Sequence, residues 1–253
     1  MVGALRDAMS RTARVTYPLE IVGAGRTDAG VHAFGQVIHV DLPDPVYEGD
    51  RGSDAERLVR SLNHQLAGRI VITRATPVSD DFHARFSATW RSYRYLVVES
   101  PHPALTLTSL SAWTVPGPLD LDAMNAAADV ILGNHDFRSF CRRPAGAPGG
   151  EPLRRTVLAA AWRRLDDEWG ITIDQSPVLR FDIRANAFCH QMVRSLTSAM
   201  VAVGRGKLDV REVVDRLENP DRTGLPSPAP AGGLSLIGVG YPELAGGASG
   251  FVS

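Results

Sequence analysis

The sequence predicts an α+β fold built as two similar lobes with mainly antiparallel sheets. Three observations carry that expectation. Helical and strand-like patterns are interleaved without the repeated strand-helix-strand units of a doubly wound parallel sheet. The same mixture occurs twice, on either side of a proline-punctuated stretch from Pro101 to Pro118. The 253 residues suffice for one elaborate domain or two closely packed lobes. The expected organisation is an N-terminal lobe over 1–103, a C-terminal lobe over 104–244 and a disordered tail over 245–253, the two sheets meeting edge to edge.

In chain order, ALRDAMSRTA has the apolar spacing of a helix, and LEIVGAG reads as a strand running into a glycine-rich loop, with VIHVDL as the strand beyond it. Ser53 to Glu56 has the Ser-x-x-Glu form of a capping box and opens the amphipathic helix ERLVRSLNHQL, which Gly68 stops. RIVITRATPV is strand-like. In WRSYRYLVVE, alternation puts Arg91, Tyr93, Tyr95 and Val97 on one face and Ser92, Arg94, Leu96 and Val98 on the other. The second round holds an alanine-rich helix from about Asp120 to Leu132 and the strands TVLAAAWRRL, WGITID and LRFDIRANAF. It continues with a long helix HQMVRSLTSAMVAVG, a short helix near Val210 to Leu217 and a last strand LSLIGVGY. Pro144 to Gly150 reads as a mobile loop.

Composition narrows the function classes. The chain is 44% hydrophobic and 22% charged, and it lacks both an apolar run near the ~18 residues a membrane span needs and a signal-peptide pattern. A soluble, cytoplasmic protein is expected. Cys141 and Cys189 are too few for a disulfide framework or a structural zinc cluster and are read as reduced thiols. With 27 basic and 28 acidic residues the net charge is -1, so any nucleic-acid site must be a local patch. Lys207 is the only lysine. GC-rich codon usage explains an arginine excess by itself, so the positions of the arginines carry the argument. They gather as Arg85, Arg91 and Arg94, then Arg138, Arg142 and Arg143, then Arg154 and Arg155, then Arg184 and Arg194, repeatedly beside aromatic residues. Arginine is the better fork for phosphate and the better plane for stacking on bases.

The stretch Gly23 to Gln36, GAGRTDAGVHAFGQ, is the most unusual in the chain. Its glycines and Ala29, followed by a strand ending at Asp41, mimic a dinucleotide-binding fingerprint. The spacing argues against that reading. A crossover between parallel strands needs at least ~10–12 residues, mostly helical. Arg26 to Gln36 contains Gly30 and Gly35 and shows no amphipathic face. A purely structural turn explains the glycines but has no use for Arg26 and Asp28. From the residues alone, an ordinary turn and a loop that presents a carboxylate both stay open.

GRTDAGVHAFGQVIH resembles the catalytic-loop motif of the TruA-type tRNA pseudouridine synthases, and DDFHARFSATWRSYRYLV, GNHDFRSF, FDIRANAFCHQMVRSL and GGLSLIGVGYP continue the resemblance in the family's order. One such block is moderately specific; five in order, spanning Ala24 to Pro242, are highly specific. The resemblance implies the pseudouridine synthase fold, two ferredoxin-like, RRM-like lobes around a central catalytic cleft. It implies isomerisation of uridine to pseudouridine at positions 38, 39 and 40 in the anticodon arm of tRNA, without metal or cofactor. It also implies a homodimer in which one tRNA contacts both subunits.

By matching position, Asp28 is implied as the essential aspartate, acting on C1′ or on a ribose proton, and Arg194 as its basic partner. A carboxylate in either role must be ionised, and a neighbouring arginine favours that form despite desolvation. Tyr93 corresponds to the tyrosine that stacks on the target base and Leu234 to an apolar pocket residue. Arg26 corresponds to the loop arginine that helps displace the target nucleotide, a step costing a few kcal/mol. His32, Gln36, His83, Arg85 and Arg91 lie in matching blocks as candidate RNA contacts. His135 and Asp136 are expected to organise a loop, and Cys189 with His190 to be no nucleophile pair, since neighbours on one helix point apart.

The resemblance also implies an opening strand, with a tyrosine-aspartate-glycine turn and a glycine-tryptophan-glutamine segment, upstream of the first helix. This sequence starts inside that helix, at Met1. A misplaced start codon or a truncated product is the expectation, with an unpaired sheet edge as its cost. Two competing functions follow: an RNA-binding remnant without turnover, and the nucleotide-cofactor protein disfavoured by the loop spacing.

Overall fold

The computed structural model describes residues 2–43, 54–102, 109–142, 150–165 and 176–242. The expected cap Ser53, the strand WGITID, Arg143, the loop from Pro144 and the terminal tail lie outside the described residues. The chain divides into two compact units, Met1–Gly25 with Val37–Ser87, and Arg26–Gln36 with Ala88–Ser253. The expected boundary near residue 103 falls inside the second unit. No helix among the described residues is long and apolar enough to cross a membrane.

The first unit is built on two helices, α1 (Val2–Thr12) and α2 (Asp54–Leu66). Leu5, Ala8 and Met9 of α1 and Leu62 and Leu66 of α2 form its core with Leu19. A polar seam runs beside them, where Gln65 Nε2 donates to Thr12 Oγ1 at 2.8 Å and Arg11 Nε to Gln65 Oε1 at 2.9 Å. Helix α2 stops at Leu66 because Ala67 and Gly68 both take positive φ, 48° and 74°. The strands expected here shrink to β1 (Val22–Gly23) and β3 (Ile38–His39), paired antiparallel, with β2 (His32–Ala33) between them in sequence. RIVITRATPV forms no ladder, contrary to expectation. Asn63 of α2 satisfies that backbone instead, accepting from Ile72 N at 2.7 Å and donating to Ile72 O at 2.9 Å.

Among the described residues, the second unit is built on a seven-stranded, mainly antiparallel sheet. Its central strand β4 (Trp90–Glu99) coincides with WRSYRYLVVE. The others are β5 (Trp113–Val115), β6 (Gly133–Asp136), β7 (Arg154–Leu165), β8 (Val178–Ala185), β9 (Leu234–Gly240) and β2. The order is β2-β9-β4-β8-β7-β6, with β5 parallel to the end of β4. Strict alternation in β8 buries Leu179, Phe181, Ile183 and Ala185. Helices α3 (Leu121–Asp129), α4 (Met192–Gly204) and α5 (Val210–Glu218) complete the unit. Asp120 caps α3 by accepting from Ala123 N, and Asp209 with Glu212 forms a capping box on α5. Met124, Leu196 and Met200 from the helices meet Trp162 and Phe181 from the sheet, whose rings stack with centroids 4.8 Å apart. The α+β expectation holds.

Glu99, buried at the end of β4, accepts from Leu119 N and from Arg164 Nη1, both at 2.6 Å. Arg164 reaches water, so the buried Leu119 N–H has most to lose when the carboxylate goes. Glu99→Ala should therefore cost about 1–3 kcal/mol in urea unfolding, with an unchanged m-value.

Candidate active site

The segment from Arg26 to Gln36 is held by its own backbone. Val31 N donates to the Asp28 carbonyl at 3.1 Å, and Gly30 takes φ 85°, a conformation glycine adopts without a Cβ penalty. Strand β2 then pairs parallel to β9, His32 opposite Ser235 and Ala33 opposite Leu236. Phe34 N and Gly35 N both donate to the Leu236 carbonyl, at 2.8 and 3.3 Å. Gly35 lies so close to the Ile237 carbonyl that a Cβ has no room.

The opening turn of α4 supplies the partners of Asp28. The helix begins at Met192, two residues later than the pattern HQMVR suggests, because Gln191 takes φ 63° and leaves Cys189 and His190 in a turn before it. That turn is fixed from the side by Arg142 N, which donates to the His190 carbonyl at 2.9 Å. Cys141 and Cys189 are joined as a disulfide with Cα atoms 5.7 Å apart, which corrects the expectation of reduced thiols. The pair is separated by 48 residues and becomes adjacent only when the turn after β6 packs beside the opening of α4, so no spacing in the sequence reveals it.

Arg194 Nη1 donates to Asp28 Oδ2 at 2.7 Å, and its Nε donates to the Ala229 carbonyl at 2.6 Å. Ala229 N returns a bond to the Arg194 carbonyl at 3.1 Å, so the guanidinium is anchored on its own strut. His190 Nε2 lies 3.3 Å from the other carboxylate oxygen, Oδ1. The Arg194 side chain is 15% exposed and that of Asp28 is 25% exposed. The cation is thus more enclosed than the carboxylate it holds, which leaves the acid within reach from outside.

Tyr93 on β4 is 9% exposed and packs edge-on against Phe188, ring centroids 5.1 Å apart. Burial pushes its phenol up to about 12; the Arg91 charge opposes this and the Asp28 carboxylate adds to it. Leu234 is buried opposite Tyr95, whose hydroxyl donates to the Pro230 carbonyl at 2.7 Å. Burial raises the Tyr95 phenol as well, with Arg194 opposing.

Three candidates named from the sequence, Asp28, Arg194 and Tyr93, are therefore brought together. Arg26 and Gln36 are exposed on the same loop. The His32 Nε2 donates to the Leu110 carbonyl at 2.7 Å. Arg91 is turned inward, 9% exposed, with Nη1 donating to the carbonyls of Ala88 and Asn186 at 3.1 and 2.9 Å. His83 and Arg85 belong to the first unit, where His83 Nδ1 accepts from Arg85 N at 3.1 Å and the Arg85 guanidinium lies over Phe86. Asp136 organises its loop by accepting from Arg138 Nε and Leu153 N. No group of three or more His, Cys, Asp or Glu among the described residues is placed to hold a metal ion.

His190 escaped the sequence reading. Its spacing four residues before Arg194 gave no signal, because His190 lies in the turn before the helix and the left-handed Gln191 breaks the helical register between them.

The model of a family described as tRNA pseudouridine synthase matches residues 3–87 and 127–242. A protein of Cutibacterium acnes named tRNA pseudouridine synthase A is 38% identical over 95% of this chain and 80% of its own length. Proteins of the same name from Frankia casuarinae and Leifsonia xyli are 41% and 39% identical over 95% of this chain, covering 80% and 83% of theirs. With motif, fold and relatives in agreement, the chain belongs to the tRNA pseudouridine synthase family, a family of isomerases.

Proposed function

We propose that this chain isomerises uridine to pseudouridine at positions 38, 39 and 40 of the anticodon stem-loop of tRNA, with Asp28 as the catalytic carboxylate. The observation that carries the reading is the outward-facing Asp28 bound through Oδ2 to the enclosed Arg194. The reaction breaks the C1′–N1 bond, turns the uracil and forms C1′–C5; the proton on C5 leaves and N1 gains one. Asp28 opens this sequence by attacking C1′ or by taking a ribose proton. Both routes start from an ionised carboxylate.

Tyr93 offers a ring on which the displaced base stacks, and its phenol stays protonated throughout the neutral range. Arg26, exposed two residues before Asp28, fits the task of holding the backbone or filling the space a flipped nucleotide leaves. Gln36 and His32 on the loop, and Arg85 and His83 in the first unit, are secondary RNA contacts in this reading. Leu234, buried opposite Tyr95, is the apolar pocket residue in this reading. Arg91 supports it less directly, since its guanidinium is engaged within the fold. A homodimer belongs to the proposal, because two copies of a chain of net charge -1 present twice the local arginine surface to a polyanion.

Tritium release from tRNA transcribed with 5-tritiated uridine tests the reading. The wild-type chain should release tritium, and Asp28→Ala should lower the rate at least about a thousandfold; equal rates would remove Asp28 from catalysis. Tyr93→Phe should keep the ring and leave the shape of the pH profile unchanged, because a phenol raised to about 12 does not titrate in the assay range. Tyr93→Ala should lose about 1–3 kcal/mol of substrate stabilisation. Binding of tRNA, followed by filter retention, should weaken at least about tenfold between about 50 and 200 mM salt, because phosphate contacts release counterions.

A further inference from the structure

Resting on the proposed role of Asp28, we infer that His190 is a positioning residue whose Nε2–H holds the carboxylate oxygen that Arg194 leaves open. Arg194 engages Oδ2 alone, at 2.7 Å. A carboxylate anchored at one oxygen turns about its Cβ–Cγ bond, and each turn moves the reacting lone pairs out of line. A second anchor at Oδ1 stops that rotation, and His190 Nε2 is 3.3 Å from it. The two anchors come from one structural piece, the turn and first helical residues of α4. Positions of catalytic groups matter at this scale, since a displacement of about 1 Å costs on the order of a hundredfold in rate.

The backbone beneath His190 is built to hold it. The His190 carbonyl accepts from Arg142 N, Cys189 is tied covalently to Cys141, and Met192 N donates to the Cys189 carbonyl at 3.1 Å. Gln191 accepts a left-handed φ of 63° immediately afterwards, which lets the chain leave the turn and enter the helix. The ring itself is 49% exposed, so its place beside Asp28 is not forced on it by enclosure in a core. The anchor requires the proton on Nε2, since an unprotonated Nε2 would set its lone pair against those of Oδ1.

The test measures tritium release across a range of tRNA concentrations for wild type, Asp28→Ala, His190→Leu and His190→Gln. His190→Leu removes the donor at similar bulk; His190→Gln keeps an amide N–H that reaches Oδ1. His190→Leu should lower kcat roughly tenfold with KM changed by less than about twofold, the loss expected for one hydrogen bond to a charged group. His190→Gln should recover most of that loss. Wild-type kcat in His190→Leu, a defect confined to KM, or a glutamine variant no better than leucine would each overturn the inference.

If the wild type releases no tritium, the functional reading fails, and the His190 contact is decided separately by nitrogen NMR of the imidazole, assigned by comparison with His190→Gln. A ring protonated on Nε2 whose Nε2 resonance moves in Asp28→Ala supports the contact. A ring protonated only on Nδ1, or one indifferent to Asp28→Ala, overturns it.

Discussion

The Asp28–Arg194 ion pair is the constraint around which the second unit is arranged. Its partners are 166 residues apart, and one sits on a loop with almost no regular structure. Bringing them to 2.7 Å requires the loop to be docked, the helix opening to be fixed and the guanidinium to be aimed. Each requirement is met by backbone: β2 and Phe34 on β9, Arg142 on the turn before α4, and Ala229 on the arginine. Removing the arginine would free the Asp28 carboxylate to turn and would leave the Ala229 carbonyl without its donor.

The sheet supplies the floor for that pair. Strand β4 pairs with β8 along one edge and with β9 and then β5 along the other, so Tyr93 is held from both sides at its backbone. The register between β4 and β9 shifts between Ser92 and Tyr93, the kind of irregularity that re-aims a side chain beside a functional site. Around this floor the arginines do two jobs. Arg94 and Arg180 share Asp182, Arg138 pairs with Asp136, and Arg184 lies 5.6 Å over the Trp90 ring. Much of the arginine clustering visible in the sequence is therefore consumed inside the fold, which fits a net charge close to zero.

Legibility in the sequence followed the range of the interaction responsible. Strand β4, helix α1 and helix α5 were readable because hydrophobic periodicity is local. RIVITRATPV misled because its β-branched residues suggest a ladder, whereas both backbone groups of Ile72 are taken by the Asn63 amide. Asp28, Arg194 and Tyr93 were legible through the order of motif blocks rather than through any property of each residue. His190 and the Cys141–Cys189 bond were not, since which turn residue faces a carboxylate, or which thiols meet, is decided by packing between segments far apart in the chain. Arg91, expected as an RNA contact from its motif block, is held between the Ala88 and Asn186 carbonyls, a placement that alternation along the strand does not reveal.

The docking of β2 on β9 has a consequence for the order in which the protein becomes competent. Asp28 leaves the ribosome early and Arg194 much later, yet the edge that seats the loop is β9, which follows every other described strand. A nascent chain that has delivered both members of the ion pair still lacks the rail on which one of them rests. The site is thus closed only once β9 is available, a long-range pairing of the kind that slows folding. RNA met during translation would find the ingredients of the site but not its alignment.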